Sequence, residues 1–197
     1  MPQELSIRPA EGKLGVLTVG MGAVSTTFIA GVCAVRKGIA DPIGCLTEMS
    51  RVRLGKRTEH RSSLIREMVP LSRLEDIVFG GWDIFHDNAF ESAVRAKVID
   101  KELLLQIREE LEAISPMPAV FDSNYVKRID GPNKKNGATK WDLAQALRQD
   151  IQKFRKEQNC DRLVMIWCGS TEAYSQIGSE HLSIAAFETA LRENSSN

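Results

Sequence analysis

Two glycines and a serine near the start of the chain have the types and spacing of a phosphate-binding turn. The sequence VGMGAVSTT at residues 19–27 places Gly20 and Gly22 two positions apart, with Ser25 at the sixth position of the G-x-G-x-x-G pattern. In such a turn the first glycine makes the bend and the second lets a pyrophosphate approach the backbone. The following helix then offers free N–H groups to the phosphates. The pattern leaves open an ordinary strand-to-helix turn that needs glycines only for its backbone.

The segments around this turn are those that position such a site in a parallel sheet. The apolar run at 13–19 predicts a buried strand, and the apolar spacing at 28–37 predicts a helix. Further strands are predicted at 75–84, 119–121 and 162–167, and further helices at 88–96, 101–114, 140–158 and 181–192. Strands that alternate with helices and lack a period of two predict an α/β fold. Its sheet would be doubly wound and mostly parallel.

The ends of three of these strands carry small or polar residues, at 20–27, 81–84 and 168–172. Because the carboxyl ends of parallel strands meet at one edge of a sheet, we expect the three segments to form one crevice. Asp83 lies in the second segment, where a polar residue is well positioned for a ligand site; a helix N-cap or a turn acid is the alternative. The same capping alternative applies to Thr171.

Composition narrows the class of partner. The 197 residues suit one domain, or one domain plus a fragment, and 26 basic against 26 acidic residues give no electrostatic case for nucleic acid or an anionic membrane. No apolar run approaches the roughly 18 residues that span a bilayer. The scattered cysteines favour reduced thiols, and the three histidines lack metal-ligand spacing. We therefore expect a cytoplasmic protein with no nucleic-acid, membrane or metal partner. The cysteines are Cys33, Cys45, Cys160 and Cys168.

Several other side chains have two interpretations. The basic run at 50–61 is ordinarily a solvated surface, and a phosphate-binding patch is the alternative. The lysines of the later polar loop are expected to be solvated rather than catalytic. Trp82 and Trp167 are expected to be buried by the sheet. The lysines are Lys127, Lys134, Lys135 and Lys140.

Together these segments resemble the N-terminal part of the myo-inositol-1-phosphate synthase (inositol-3-phosphate synthase) family. The resemblance extends in order from about Lys13 to the last predicted helix through VGMGAVSTT, LTEMS, DIVFGGWDI, AVRAKVID, LEAISPMP and DRLVMIWCGSTE. The turn is most similar to that of bacterial members. In other members it reads GWGGNNG, and here Met21, Ala23, Val24, Ser25 and Thr26 replace Trp, Gly, Asn, Asn and Gly. Backbone contacts to the pyrophosphate are therefore expected rather than contacts from side-chain amides.

The resemblance implies a Rossmann-like NAD-binding domain and an activity. Members of the family isomerise D-glucose 6-phosphate to 1D-myo-inositol 3-phosphate, a step of inositol and phospholipid biosynthesis. They do so by oxidation at C5, enolisation, intramolecular aldol closure and re-reduction. NAD is regenerated on the enzyme, and the family's homo-oligomer is a tetramer. The residues implied to contact NAD are Gly20, Gly22, Ala23, Val24, Ser25, Asp83, Cys168, Gly169, Ser170 and Thr171.

The resemblance also sets the expected domain organisation. Residues 13–192 would be the NAD-binding domain, incomplete relative to the family, between polar tails at 1–12 and 193–197. The family's catalytic lysines lie mainly in a later domain that also builds the oligomer, so we expect that domain to be absent and assign no catalytic residue. Two alternatives stay open: a non-catalytic, truncated NAD-binding or regulatory module of the same family, and a different Rossmann oxidoreductase acting on a small substrate.

Overall fold

A parallel sheet with helices on both faces forms the centre of the protein. The computed structural model describes residues 10–174 and 176–195. The strands are β1 (Lys13–Val19), β2 (Arg51–Leu54), β3 (Arg61–Leu64), β4 (Ile77–Asp83), β5 (Met117–Pro118) and β6 (Cys160–Trp167). The helices are α1 (Ala23–Arg36), α2 (Leu46–Met49), α3 (Ile65–Met68), α4 (Ala89–Ala96), α5 (Lys101–Gln106), α6 (Arg108–Glu112), α7 (Lys140–Glu157) and α8 (Ile184–Arg192). Short 3-10 turns cover Arg57–Glu59, Leu74–Asp76 and Ser179–His181.

The sheet has the order β5-β4-β1-β6, and all its neighbouring strands are parallel. β1 is central and pairs along its length with β4 on one side and β6 on the other. β5 adds only two paired positions, beside Trp82 and Asp83. Strands β2 and β3 form a separate antiparallel hairpin. The predicted α/β fold with a mostly parallel sheet is confirmed.

Two apolar clusters hold helices against the sheet. One joins α1, α4, α5 and α6 through buried residues that include Ile29, Leu104 and Leu111, with Phe79 of β4 packed against it. The other joins α7 to β1 and β4 through Phe154, Leu17 and Trp82. Because successive strand residues face opposite sides, the two clusters lie on opposite faces of the sheet. Full burial of a leucine-sized side chain contributes about 1.5–3 kcal/mol, so both helical layers are stabilised by packing.

Some element boundaries differ from the sequence prediction. Helix α1 begins at Ala23, directly after the glycine turn, rather than at residue 28. The helix predicted at 101–114 is two helices, because Ile107 leaves helical geometry with φ −115° and ψ 20° while its side chain stays fully buried. The strand predicted at 119–121 lies at Met117–Pro118. Helix α8 starts at Ile184, where Ser183 caps it by accepting from the backbone N–H of Ala186 at 3.1 Å.

The prediction of a buried strand at 162–167 was wrong for its second half. Val164, Met165, Ile166 and Trp167 are all exposed, and Trp167 is 62% exposed whereas Trp82 is 3% exposed. β6 lies at an edge of the sheet, and in the described part of the chain no element covers these side chains. The apolar character of the sequence was correct, but it does not indicate which strand lies at an edge.

The basic run folds as a β-hairpin with mostly exposed side chains, as expected of a solvated surface. Arg61 of β3 pairs with Glu59 within the run, and Arg66 of α3 pairs with Glu48 at 2.6 Å. The Arg61–Glu59 pair is exposed, as is typical of a solvated surface, whereas the Glu48 side chain is largely shielded. Of the tails expected at 1–12 and 193–197, residues 1–9, 196 and 197 lie outside the described residues.

Candidate functional site

The ends of three strands meet where the sequence predicts a crevice. The backbone N–H of Gly20 donates to the carbonyl of Trp82 at 2.9 Å, which joins the end of β1 to β4. On the other side, the N–H of Cys168 donates to the carbonyl of Val19 at 2.9 Å. The Asp83 carboxylate accepts from the N–H of Met21 at 2.6 Å. The glycine turn therefore lies between Asp83 and the Cys168–Gly169 segment.

Gly20 has a backbone conformation that favours glycine. Its φ is +90°, and a Cβ at this position would lie 3.4 Å from the backbone nitrogen of Gly169. Ser25 is fully buried, and its hydroxyl donates to the carbonyl of Gly20. The serine thus occupies the close-packing position of the motif and closes the turn. Because its side chain points inward, a ligand could contact Ser25 only through its backbone.

The start of α1 leaves room for an anion. Gly22 is the N-cap residue of α1. Because it has no side chain, it makes no capping hydrogen bond, and it leaves the first N–H groups of the helix available to a ligand. A Cβ on Gly22 would meet nothing within 4 Å. Ala23 and Val24 are exposed beside it. Free N–H groups, a small cap and open space fit a diphosphate at this helix N-terminus.

Asp83 is a turn acid. One carboxylate oxygen accepts from the N–H of Met21, and the other accepts from the N–H of Phe85 at 3.0 Å. The cap of α4 is a different residue, Asn88, which accepts from the N–H of Glu91 at 3.0 Å. A carboxylate has about four lone-pair sites, so two remain for hydroxyl donors. The turn role and a ribose-binding role are compatible.

The segment after β6 is compact at Gly169. A Cβ there would lie 2.1 Å from Oε1 of Glu172, so the Glu172 carboxylate packs directly on this glycine. Cys168 is half-buried and Ser170 is exposed. The capping alternative for Thr171 is wrong, because the next helical turn begins only at Ser179.

One loop of the site was missed by sequence reasoning. It begins at Ala119, after β5, and returns to Asn133, whose buried carboxamide donates to the carbonyls of Asp83 at 2.9 Å and Phe85 at 3.3 Å. The middle of the loop reaches the segment that follows β6, where the N–H of Ala173 donates to the carbonyl of Tyr125 at 2.7 Å. The only signal in the sequence is the Gly-Pro-Asn turn at 131–133.

The expectation of solvated lysines was wrong for Lys135. Its side chain is 11% exposed and its Nζ lies 2.6 Å from Oδ2 of Asp150. The same oxygen accepts from the indole N–H of Trp82 at 2.7 Å. Lys134 pairs with Asp130 at 2.7 Å. Asp150 of α7 therefore holds a largely shielded ion pair with the loop and a hydrogen bond to Trp82 of β4 behind the crevice.

The described residues contain neither a cluster of metal ligands nor a membrane-spanning helix. Within residues 10–174 and 176–195, no three His, Cys, Asp or Glu side chains are grouped so that they could hold a metal ion. Among the described helices, none is both long and apolar enough to cross a membrane.

The fold and the crevice define the class as a Rossmann-like, dinucleotide-binding α/β domain. Residues 14–197 match the family model of the NAD-binding domain of myo-inositol-1-phosphate synthase. The chain therefore belongs to the myo-inositol-1-phosphate synthase family, and it carries that family's NAD-binding domain.

Two relatives agree with this assignment, and one solved structure shares the fold. The chain is 50% identical over 195 residues to inositol-3-phosphate synthase 1 of Bacteroides thetaiotaomicron, a match that covers 98% of this chain and 44% of the relative. It is 34% identical to inositol-3-phosphate synthase 1 of Oryza sativa subsp. japonica, covering 84% of this chain and 35% of the relative. The crystal structure of inositol-3-phosphate synthase from Caenorhabditis elegans superposes with a TM-score of 0.85 at 24% identity, covering 96% of this chain and 40% of that one. The chain thus spans less than half the length of these relatives.

Proposed function

We propose that this chain forms the NAD-binding part of an enzyme that isomerises D-glucose 6-phosphate to 1D-myo-inositol 3-phosphate. The observation that carries the proposal is the convergence of Gly20, Asp83 and Cys168 at one edge of the sheet. This geometry belongs to a chain that is 50% identical to a bacterial inositol-3-phosphate synthase. The reaction, the sugar phosphate substrate, a homo-oligomeric state and a cytoplasmic location are parts of the proposal.

Different residues of the crevice contact different parts of the dinucleotide. Gly20 and Gly22 let the diphosphate approach the backbone, and the N–H groups at Ala23, Val24 and Ser25 donate to it. Asp83 accepts from the adenosine ribose hydroxyls. The segment from Cys168 through Gly169 and Ser170 to Thr171 contacts the cofactor from the β6 side. When bound, NAD supplies the hydride acceptor and donor for oxidation and re-reduction at C5 of the sugar.

The protein's own contribution within this chain is orientation. The Asp83 carboxylate accepts a hydrogen bond from the N–H of Met21, and this contact fixes the path of the glycine turn. Gly169 keeps the β6 segment within contact of Gly20. A dinucleotide held at both positions presents its reactive ring in one direction, which replaces a random encounter by a positioned one. No residue of this chain is assigned a proton-transfer role.

Calorimetric titration with NAD tests the binding half of the proposal. We expect one NAD per chain, and a Gly20→Val variant with no measurable heat as the control. A chain that is folded by circular dichroism and gives no heat with NAD would contradict the proposal.

A chimera tests the reaction. Residues 14–197 replace the matching segment of the Bacteroides relative, and the product is followed with NAD in catalytic amount. We expect inositol phosphate without net NADH, and for the 197-residue chain alone weak or no turnover. A chimera that binds NAD without turnover would favour the non-catalytic module, and net NADH would favour a different oxidoreductase.

A further inference from the structure

We infer that Asn133 is a positioning residue for Asp83, the carboxylate to which the proposed function gives the adenosine ribose; the inference rests on that function. Asn133 is far from Asp83 in the sequence, and the family resemblance did not point to it. Its carboxamide contacts the backbone of the turn that carries Asp83.

The turn at residues 83–85 is held from two sides. From inside, the Asp83 carboxylate accepts from the N–H of Phe85 at 3.0 Å. From outside, the Asn133 carboxamide nitrogen donates to the carbonyl of Asp83 at 2.9 Å and to that of Phe85 at 3.3 Å. One side chain thus satisfies both carbonyls that flank Ile84, and fixes the peptide planes from which the carboxylate projects.

The backbone at Asn133 strengthens this attachment. Its N–H donates to the carbonyl of Ile84 at 2.8 Å, and its carbonyl accepts from the N–H of Ala119 at 3.0 Å. Gly131 passes so close that a Cβ there would lie 2.2 Å from the carbonyl oxygen of Ile84. Asn133 is only 5% exposed, so water does not have free access to replace its donors.

Loss of the carboxamide donors therefore acts on Asp83. The carbonyls of Asp83 and Phe85 would lose a buried donor, and the turn would relax toward other partners. The Asp83 carboxylate would then hold the N–H of Met21 less often. The glycine turn and the Asp83 carboxylate would then both be held less firmly, although Asn133 does not itself contact the glycine turn.

Asn133→Asp is the isosteric test, because a carboxylate of the same shape cannot donate to the two carbonyls. Asn136→Asp is the matched control, since it adds the same charge to an exposed position of the same loop. Amide exchange of Met21, followed by mass spectrometry or NMR, reports directly on the contact with Asp83. We expect exchange at Met21 to rise about tenfold in Asn133→Asp, to stay unchanged in Asn136→Asp, and to stay unchanged in α7 of both.

Exchange that rises equally throughout the sheet would mean a general structural role and would overturn the inference, as would an unchanged Met21 amide. If Asn133→Asp does not fold, Asn133→Ser keeps one donor, and we expect an intermediate rise at Met21 from it. A Met21 amide as slow in Asn133→Ser as in the parent protein would reject the inference.

A double-mutant cycle on NAD affinity separates positioning from independent binding. We expect Asp83→Ala and Asn133→Asp each to raise the Kd of NAD about tenfold, and the double variant to raise it about tenfold rather than a hundredfold. Additive losses would contradict the inference. If the parent protein does not bind NAD, the proposed function fails, while exchange at Met21 still decides the role of Asn133.

Discussion

The aromatic ring of Phe154 lies directly against Gly80: a Cβ built on this glycine would stand 2.6 Å from Cε2 of the ring. Gly15, on the neighbouring strand β1, faces the other side of the ring in the same way, at 2.9 Å from Cε1. The two glycines leave a depression in the sheet that the ring fills. Helix α7 therefore approaches β1 and β4 closely, at the centre of the domain.

Gly80→Ala is expected to destabilise the protein by about 1–3 kcal/mol, because the added methyl overlaps the ring and the core has no room for it. Denaturant unfolding measures the change, and Phe154→Leu in the same chain should recover part of the loss. Gly31→Ala is the control: a Cβ there meets nothing within 4 Å. This helical position should gain about 0.5–1 kcal/mol. Equal effects at Gly80 and Gly31 would contradict the packing argument.

Gly22→Ala is expected to separate binding from folding. The new methyl group projects into open space, and the φ of −81° suits any residue, so the free energy of unfolding should change by less than about 1 kcal/mol. In the proposed site the same methyl group would occupy the approach of the diphosphate, so the Kd of NAD should rise at least about tenfold. Calorimetry and thermal unfolding on one sample give both values. An unchanged Kd would argue against a diphosphate at Gly22.

The exposed half of β6 is expected to make the 197-residue chain self-associate. Met165 is 58% exposed on an edge strand, and such edges pair with other chains. Sedimentation velocity over a range of concentrations should show association in the parent chain and less of it in Met165→Lys. Val98→Lys places the same charge on a 60% exposed valine away from the sheet and should not change association. A parent chain that stays monomeric at every concentration would refute this prediction.

Replacement of Asp150 is expected to lower the free energy of unfolding more than is usual for a residue on a surface helix. Asp150→Ala would leave the indole N–H of Trp82 and the nearly buried ammonium of Lys135 without their shared acceptor. We expect a loss of about 2–3 kcal/mol, below the range for fully buried pairs because Lys135 retains some contact with water. Asp130→Ala removes the exposed partner of Lys134 and should leave stability nearly unchanged. Similar losses in the two variants would disprove the special role of Asp150.

Thiol labelling is expected to distinguish the exposed Cys45 from the buried Cys33 and Cys160. Burial raises the pKa of the Cys33 and Cys160 thiols, so at about pH 8 they contain even less thiolate than an ordinary cysteine. Cys45 is exposed and should react first, whereas Cys33 and Cys160 should react only on unfolding. The same shifts mean that the folded state loses stability as the pH rises above the ordinary thiol pKa, where only the unfolded chain ionises. Rapid native labelling of Cys33 would contradict this order.

The sequence was sufficient to predict those parts of the fold that depend on the local pattern of strands and helices. Parallel strands followed by helices predict that strand ends converge, and Gly20 and Asp83 are joined through Met21 as that rule requires. The early start of α1 was missed because Ser25, Thr26 and Thr27 are poor helix formers, and tertiary burial of the first two overrides their propensity.

The rest depended on contacts between distant residues. Nothing local distinguishes the apolar β6 from a central strand, because exposure at Trp167 is set by what lies beside it. Lys135 resembles its neighbour Lys134 in sequence, but only Lys135 meets a carboxylate on α7. Asn133 is likewise one polar residue among several in its loop, and its role depends on where Asp83 and Phe85 place their carbonyls.

Four hydrogen bonds within the protein shape the glycine turn: Ser25 to Gly20, Gly20 to Trp82, Met21 to Asp83, and Cys168 to Val19. A ligand is not required to complete any of them. The turn is thus pre-organised, and association with a dinucleotide need not include the entropy of ordering this loop. Variants that break one of these internal bonds should therefore weaken affinity mainly through a less favourable binding entropy, even where every group that contacts the ligand is unchanged.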